Sequence, residues 1–443
     1  MRKAAARANW ESRVGFVLAA AGSAVGLGAI WKFPYVVGKN GGGAFLLVYL
    51  CCVFTIGIAL MLAEIVIGRA AMKSATTAFR VLKGGWWPWA GRLSVLCIFI
   101  ILTYYCVVGG WTIAYVGRAL TGEVVSRNVP QLSAAFGSFI SSAPSALSFT
   151  ALFLGVTTLV VMGGVEKGIE RMARVLMPAL FILMLMLIVR SMTLPDAWRG
   201  VQYFLTPDLS KFSAGMVTEA LGLAFFSLSL GGGTIIAYGS YLPRQASLCS
   251  AALWVSVLAT SACLLAGLMV LPAVFAFHID PAAGPALTFI TMPAIFAQMP
   301  FGQGFAIAFF VLLFFAALTS SVSILEPLVA FLIDEFGWSR KVAAVSVAVT
   351  AYLVGVPAAL SFGPLADVKL FDRTAFDLLD YVAANLLMPA GGVLVALFVG
   401  WAIWPKVREE LTRNGSSSVL PAFRVVCGVI APVAIALVWY HAL

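Results

Sequence analysis

Charged side chains are scarce in this sequence. Only 10% of its 443 residues are Asp, Glu, Lys or Arg, and 62% are hydrophobic, whereas about 25% of the residues in soluble domains are charged. The composition excludes an ordinary water-soluble domain and predicts a protein that resides in a membrane. At roughly 20 apolar residues per crossing, about half of the chain suffices for eleven spans, and no sizeable soluble domain fits beside them.

Histidine is nearly absent, and cysteine occurs in an odd number. The two histidines, His278 and His441, are too few for a metal or acid–base centre built on imidazole. The seven cysteines lie mostly inside apolar runs, which is typical of small buried hydrophobic residues and not of a disulfide framework. The sequence shows no nucleophile–base set, phosphate loop or metal cluster, so we expect a protein that is not an enzyme.

The net charge is +10, but the basic residues lie in the gaps between apolar runs and form no continuous surface. We therefore expect no nucleic-acid partner. The basic N-terminal segment does not precede a short apolar stretch with a cleavage site, and we expect no removable signal peptide.

Gly, Pro and charged residues divide the chain into eleven hydrophobic runs, each long enough to span a bilayer. Backbone groups must be hydrogen-bonded within lipid, and the alternating ten-residue segments of a membrane barrel are absent. The predicted fold class is an all-α integral membrane protein with eleven transmembrane helices. These cover residues 13–37, 43–70, 90–121, 145–163, 168–191, 214–241, 246–276, 303–335, 341–360, 376–403 and 420–441.

The distribution of Lys and Arg predicts the orientation. With the N-terminus in the cytoplasm, about two thirds of the 28 Lys and Arg residues lie in cytoplasmic segments, as the positive-inside rule requires. Eleven spans then place the C-terminus outside the cytoplasm. We expect a multi-pass protein of the cell inner membrane or plasma membrane.

Two of the runs contain glycine clusters that weaken a helix. The first run has GSAVGLG at 22–28 and the sixth has SLGGG at 229–233, and each glycine costs a helix about 1 kcal/mol relative to Ala. Close helix packing through pairs such as Gly22 and Gly26 is one explanation. Two clusters five spans apart favour another, in which broken helices of an inverted repeat form the ion and substrate site of a secondary transporter.

Four stretches resemble the neurotransmitter:sodium symporter family, especially its eleven-helix bacterial amino-acid transporters. They are WESRVGFVLAAAGSAVGLGAIWKFPYVVGKNGGGAF at 10–45, KGIERMARVLMPALFIL at 167–183, FFSLSLGGGTIIAYGSYL at 225–242 and FFAALTSS at 314–321. The resemblance runs from about residue 7 to residue 403. It implies the LeuT fold, with helices 1 and 6 broken and an eleventh helix after a 5+5 inverted repeat, and a monomer that suffices for transport.

The same resemblance implies an organisation of the chain. It comprises a cytoplasmic N-terminal gate segment at 1–12, a first repeat at 13–191, an extracellular loop at 192–213, a second repeat at 214–403, and a cytoplasmic loop with helix 11 at 404–443.

For sodium, the resemblance implies two sites of unequal quality. The oxygens of the second site match Gly22, Val25, Ala316, Thr319 and Ser320. An isolated Thr–Ser pair would instead bond back to its own helix. The first site matches Ser23, Ala24, Ser227 and, allowing one gap, Ala259, and it lacks the amide or acid that the family carries on helix 7. If the gap in the helix 7 match is shifted by one residue, Leu258 or Thr260 takes the place of Ala259. We expect one coupled sodium ion and no chloride requirement.

For the substrate, glycine at Gly26 replaces the acid that amine-transporting members carry, which indicates an amino acid. Gly232 occupies a position that is bulky in the leucine-selective relative, and the smaller residue indicates larger hydrophobic substrates. The alternative is that this glycine serves only the backbone geometry. The implied substrate-binding residues are Ala24, Val25, Gly26, Gly28, Ile101, Tyr105, Phe226, Ser227, Ser229, Gly231, Gly232, Ser320 and Ile324.

The resemblance also implies gates. Lys32 and Asp380 match the outer pair, with Phe226 as an aromatic lid, and Lys cannot reproduce the planar fork of the usual Arg. The inner pair is Arg7 with Asp334, supported by Trp10, Ser240 and Tyr241.

These expectations combine into a symporter that imports hydrophobic L-amino acids, aliphatic to aromatic, across a lipid bilayer with sodium, by alternating access. Two alternatives are an amino-acid sensor without transport and a proton-coupled transporter that uses Glu326.

Overall fold

The computed structural model describes residues 9–126, 128–277, 287–413 and 417–442, and these ranges contain helices and no β-strand. Two isolated bridges, Gly42 with Pro207 and Leu370 with Arg373, are the extended pairings within them. The helices are α1 (Arg13–Ala24), α2 (Gly28–Lys39), α3 (Gly43–Ala71), α4 (Ala75–Leu82), α5 (Pro88–Thr121), α6 (Val129–Ser141), α7 (Ala143–Met162), α8 (Val165–Met192), α9 (Ala197–Leu205), α10 (Ala214–Ser227), α11 (Thr234–Gly239), α12 (Leu248–Ala276), α13 (Met292–Phe296), α14 (Gly302–Phe336), α15 (Arg340–Leu360), α16 (Ala375–Ala402), α17 (Trp404–Thr412) and α18 (Ser417–Val438).

Within the described residues, nine helices are long and apolar enough to cross a membrane, and α1 with α2 forms a tenth candidate that is bent by 51°. The chain is therefore a multi-pass membrane protein. The nine helices are α3, α5, α7, α8, α12, α14, α15, α16 and α18. The sixth predicted run is divided into α10 and α11 by residues 228–233.

Side chains of the flanking segments define several helix ends. Ser12, Ser213 and Ser339 each accept a hydrogen bond from the backbone N–H three residues later, at the beginnings of α1, α10 and α15. Such N-caps satisfy N–H groups that have no partner within the helix. α5 ends at Thr121 and is followed by Gly122 with φ 82°, a left-handed conformation that favours glycine.

Helix α14 lies at the centre of the bundle, where it packs against α5, α1, α8 and α15. Helix α1 also contacts α8 and α12. This arrangement brings the break after α1, the break between α10 and α11, and the middles of α5 and α14 to one place inside the protein.

Five shorter helices lie between the spans in the described part of the chain, and the hydrophobic runs did not predict them: α4, α6, α9, α13 and α17. Helix α9 lies within residues 192–213, where the Tyr203 hydroxyl donates to the Gly38 carbonyl at 2.7 Å. This contact ties the segment to the end of α2.

Candidate functional site

The first break follows α1. Val25 leaves the helical region with φ −86° and ψ 65°, and α2 begins at Gly28 in a different direction. The backbone N–H of Leu27 in the break faces the hydroxyl of Tyr105 at 3.4 Å. The glycine cluster at 22–28 thus interrupts the helix, as the sequence predicted.

The second break separates α10 from α11. Ser229, Gly231 and Gly233 have φ angles of 54°, 82° and 74°, in the left-handed region that only glycine adopts without strain. The buried carboxyl group of Glu64 accepts a hydrogen bond from the Gly231 N–H at 2.7 Å. A side chain from α3 therefore satisfies backbone that the break exposes.

Hydroxyl groups join the two breaks to each other. The Ser23 hydroxyl donates to the Ser229 hydroxyl at 3.1 Å, and the Ser229 hydroxyl donates to the Ser23 carbonyl at 3.0 Å. Because Ser229 is a non-glycine residue in a left-handed conformation, these bonds hold a backbone geometry that costs of order 1 kcal/mol.

A small buried cavity of about 50 Å³ lies between the breaks, α5 and α14. Ten of the thirteen predicted substrate-binding residues line it, while Val25, Ser227 and Gly231 do not. The predicted residues that line it are Ala24, Gly26, Gly28, Ile101, Tyr105, Phe226, Ser229, Gly232, Ser320 and Ile324. Its wall also includes Ser23, Ile98, Thr234 and Met388. Ile98 precedes Ile101 by one helical turn, a spacing that could have indicated it; nothing in the sequence indicated Met388.

Two glycines on the cavity wall permit close contacts. A Cβ atom on Gly26 would lie 2.2 Å from the Ser320 hydroxyl oxygen, and one on Gly28 would lie 2.4 Å from the Phe226 ring. Gly232 differs, because a Cβ there would meet only Ile98, at 2.8 Å. Gly232 therefore lines the cavity without a side chain at the position where the sequence predicted a wider pocket, and an added side chain would have to displace Ile98.

Buried oxygens gather where α1 meets α14. The Ser320 hydroxyl donates to the carbonyls of Gly22 and Ser23 at 3.2 and 3.0 Å. The Thr319 hydroxyl bonds back to the Phe315 and Ala316 carbonyls, each at 3.1 Å. Four members of the predicted second sodium site are thus brought together: Gly22, Ala316, Thr319 and Ser320. The fifth, Val25, is fully buried and follows Gly22 by three residues. Neutral oxygens of this kind are the ligands that a hard cation prefers.

The residues of the predicted first sodium site have different surroundings. The Ser227 hydroxyl is bonded to the Tyr49 hydroxyl at 2.8 Å, and Tyr49 also donates to the Cys263 sulfur at 3.3 Å. Ala259 is fully buried and has no side-chain oxygen. The neighbouring Thr260 is buried, and its hydroxyl has no hydrogen-bond partner among the described residues.

A second cavity, of about 320 Å³, lies on the other side of Phe226, and Phe226 and Met388 line both cavities. The ammonium group of Lys32 lies 5.0 Å from the centre of the Phe226 ring, a cation–π distance. Within the described residues no ion pair joins Lys32 to Asp380. Phe226 therefore lies between the two cavities, and the predicted outer pair, Lys32 and Asp380, is not in direct contact.

Hydrogen bonds join the segment before α1 to the end of α11, and further polar contacts join that end to α14 and α15. The Trp10 N–H donates to the Tyr241 carbonyl at 3.1 Å, and the Trp10 ring N–H donates to the Tyr238 carbonyl at 3.0 Å. The Tyr241 hydroxyl donates to Glu326 at 2.7 Å, and Arg340 forms an ion pair with Glu326 at 2.6 Å.

Of the predicted inner gate pair, only Asp334 lies within the described residues. Asp334 accepts from the Ser74 N–H at 2.6 Å and from Lys73 at 3.4 Å, while Arg7 lies outside the described residues. The Ser240 hydroxyl bonds to the Ala237 carbonyl. Sequence inspection missed Glu170, a buried acid of α8 that accepts the Glu11 N–H at 2.8 Å.

Two broken helices that face a shared buried cavity, within a helical membrane protein, define a secondary transporter. The chain belongs to the sodium:neurotransmitter symporter family, whose model matches residues 7–129 and 126–442. This is a family of sodium-dependent transporters and not of enzymes.

Individual relatives agree with this assignment. The uncharacterized sodium-dependent transporter YhdH of Bacillus subtilis is 40% identical over 93% of this chain and 91% of its own length. The human sodium- and chloride-dependent GABA transporter 2 is 25% identical over 90% of this chain and 74% of its own length. The crystal structure of MhsT in complex with L-phenylalanine superposes with a TM-score of 0.92 and 41% identity, over 99% of this chain and all of MhsT.

Proposed function

We propose that this protein imports hydrophobic L-amino acids together with sodium, as a monomer, by alternating access. The observation that carries the proposal is the cavity between the two breaks, where Tyr105 and the Leu27 N–H can meet a carboxylate and the remaining wall is mainly apolar. The bound L-phenylalanine of MhsT supports a hydrophobic amino acid as substrate.

One sodium ion is proposed per cycle, held by Gly22, Val25, Ala316, Thr319 and Ser320. The cluster of neutral oxygens between α1 and α14 supports this site. The absence of a side-chain oxygen at Ala259 argues against a strong first site and against a chloride requirement. This proposal separates the chain from its chloride-dependent animal relatives.

The proposal includes eleven spans arranged as two inverted five-helix repeats, with α1–α2 and α10–α11 as equivalent broken spans. The N-terminus is cytoplasmic and the C-terminus extracytoplasmic, as the Lys and Arg distribution favours. The outer cavity above Phe226 then opens away from the cytoplasm, and the Trp10 and Tyr241 contacts close the cytoplasmic side.

Uptake by purified protein in liposomes tests the function. A sodium gradient should drive accumulation of Leu, Phe or a similar amino acid, whereas a sensor would bind without accumulation. A proton-coupled carrier would accumulate substrate from a pH gradient without sodium. That alternative depends on Glu326, whose carboxylate is already paired with Arg340 and accepts a hydrogen bond from Tyr241.

The stoichiometry has a separate test. Titration of initial uptake with sodium, at a clamped membrane potential, should give a Hill slope near one. A tenfold sodium gradient contributes about 1.4 kcal/mol and 100 mV about 2.3 kcal/mol per charge, so one ion concentrates a zwitterion roughly 500-fold. A slope near two, or accumulation far above that factor, would contradict the single-ion proposal.

A further inference from the structure

A narrow apolar groove runs along the outside of the helix bundle, apart from both cavities on the transport path. It lies between the beginning of α5, the last third of α14, and α15, and its volume is about 400 Å³. Leu96 and Phe99 of α5, Leu332 of α14 and Thr350 of α15 form part of its wall. Such a surface on a membrane protein faces lipid.

One end of the groove concentrates positive charge. Arg92 lies one turn inside α5, and Trp338 stands just before the beginning of α15 at Arg340. The N-termini of α5 and α15 therefore lie at this end, each with the equivalent of about half a positive charge, and the C-terminus of α14 offsets one of them. The guanidinium of Arg92 lies 4.4 Å from the centre of the Trp89 ring, an arrangement typical of the aromatic belt at a membrane interface.

The acidic groups near this end are engaged elsewhere. Their ion pairs are Lys73–Asp334, Arg80–Glu335 and Arg340–Glu326. Arg92 is exposed and has no carboxylate within 4.0 Å in the part of the chain that the structure describes. Its charge is available to an anion from outside the protein.

We propose that this groove binds an anionic phospholipid, with the phosphate at Arg92 and one acyl chain along Leu96 and Phe99. The seven residue steps from Arg92 to Phe99 extend roughly 10 Å along the helix, so the acyl chain lies in the groove just below the lipid headgroup. Charge complementarity selects the anionic lipid, because the cationic headgroup of a zwitterionic lipid cancels its phosphate charge and leaves the net positive charge of the site uncompensated. The bound lipid joins α5 and α14, the helices that carry Tyr105 and Ser320.

Native mass spectrometry of the full chain in detergent tests the proposal, with phosphatidylglycerol and phosphatidylcholine of identical acyl chains as probes. The protein should retain phosphatidylglycerol more tightly. Arg92→Gln should weaken that lipid about fivefold, the factor that corresponds to about 1 kcal/mol for a basic residue near anionic lipid, and should leave phosphatidylcholine unchanged. Leu96→Trp, which fills the groove, should weaken both lipids.

Arg190→Gln is the control, since Arg190 is a partly exposed arginine that also lies near an aromatic ring, Phe305, at the end of another span. The proposal is wrong if Arg92→Gln and Arg190→Gln reduce phosphatidylglycerol binding equally, or if neither does. Equal retention of the two lipids by the unmodified protein would also overturn it. Loss of a protein dimer in Arg92→Gln, without a change in lipid binding, would assign the groove to a second copy of the chain. Retained amino-acid binding shows that each variant is folded.

Discussion

Ser320 is the residue where the proposed ion and substrate sites overlap. Its hydroxyl donates to the Gly22 and Ser23 carbonyls, and the same residue lines the substrate cavity. Ser320→Ala removes one oxygen ligand and the hydroxyl that donates to both carbonyls. The sodium concentration for half-maximal uptake should rise about tenfold, which corresponds to about 1.4 kcal/mol.

Ser321→Ala is the matched control for this prediction. Ser321 is equally buried, and its hydroxyl contacts Thr157 at 2.8 Å on the side away from the cavity. Its sodium dependence should stay within about twofold of the unmodified protein, since it reaches neither proposed site. Equal shifts in the two variants would remove Ser320 from the sodium site.

Gly232 sets the size of the substrate in our proposal. Because its φ lies outside the left-handed region, a side chain is compatible with the backbone there, unlike at Gly231 and Gly233. Gly232→Phe should reduce uptake of aromatic amino acids roughly 100-fold while small ones lose far less. Competition against a labelled small amino acid measures the change.

Gly231→Ala tells whether the effect on substrate size is specific. Its left-handed φ of 82° and the Met388 carbonyl 2.2 Å from an added Cβ make any side chain disruptive. This variant should lose large and small substrates together. The same uniform loss in Gly232→Phe would show that Gly232 serves the backbone.

Many residues of the site could be predicted individually, since glycine clusters at helix breaks and adjacent hydroxyl residues are recognisable in the sequence. Contacts that depend on the packing of distant helices could not. Met388 lies far from the other cavity residues in the chain, and Glu170 reaches the Glu11 N–H only because α8 packs against α1. Lys32 lies over the Phe226 ring and is not paired with Asp380. The spacing of residues in the sequence does not determine which of these two partners it contacts.

At the scale of elements, the break between α10 and α11 depends on α3. Glu64 is 1% exposed and accepts the Gly231 N–H at 2.7 Å. Glu64→Gln keeps the shape and weakens the acceptor, so it should lower stability by about 1 kcal/mol and weaken substrate binding. Thermal unfolding in detergent and binding of labelled amino acid measure the two effects.

Glu166→Gln provides the comparison, because Glu166 is an exposed acid at the beginning of α8. It should leave both quantities unchanged. If Glu64→Gln also leaves them unchanged, the carboxyl group does not support the break.

The long helices were predictable because lipid requires continuous apolar runs, and their observed ends lie close to the predicted ones. The short helices were not, since α4, α9 and α17 derive their positions from contacts with the bundle. The Lys406 ammonium, for example, donates to the Leu82 carbonyl at 2.8 Å and ties α17 to the end of α4. Such contacts follow from tertiary structure, which periodicity does not contain.

At the scale of the whole molecule, the charge distribution predicts the topology. A phosphatase that is active only outside the cytoplasm should be active when fused to the C-terminus, and inactive when fused after residue 412, in the loop before α18. The opposite result would place the C-terminus in the cytoplasm and contradict eleven spans with a cytoplasmic N-terminus.

The paired serines of the two breaks have a thermodynamic consequence. Ser23 and Ser229 hold the two unwound segments in one geometry, so a ligand that favours this geometry at one segment also favours it at the other. Under the proposed function, sodium and amino acid then raise each other's affinity by the same factor, because linkage between two binding equilibria is reciprocal. The ratio of the substrate affinities measured with and without sodium therefore equals the factor by which the substrate raises the affinity for sodium. Ser229→Ala should reduce both factors equally.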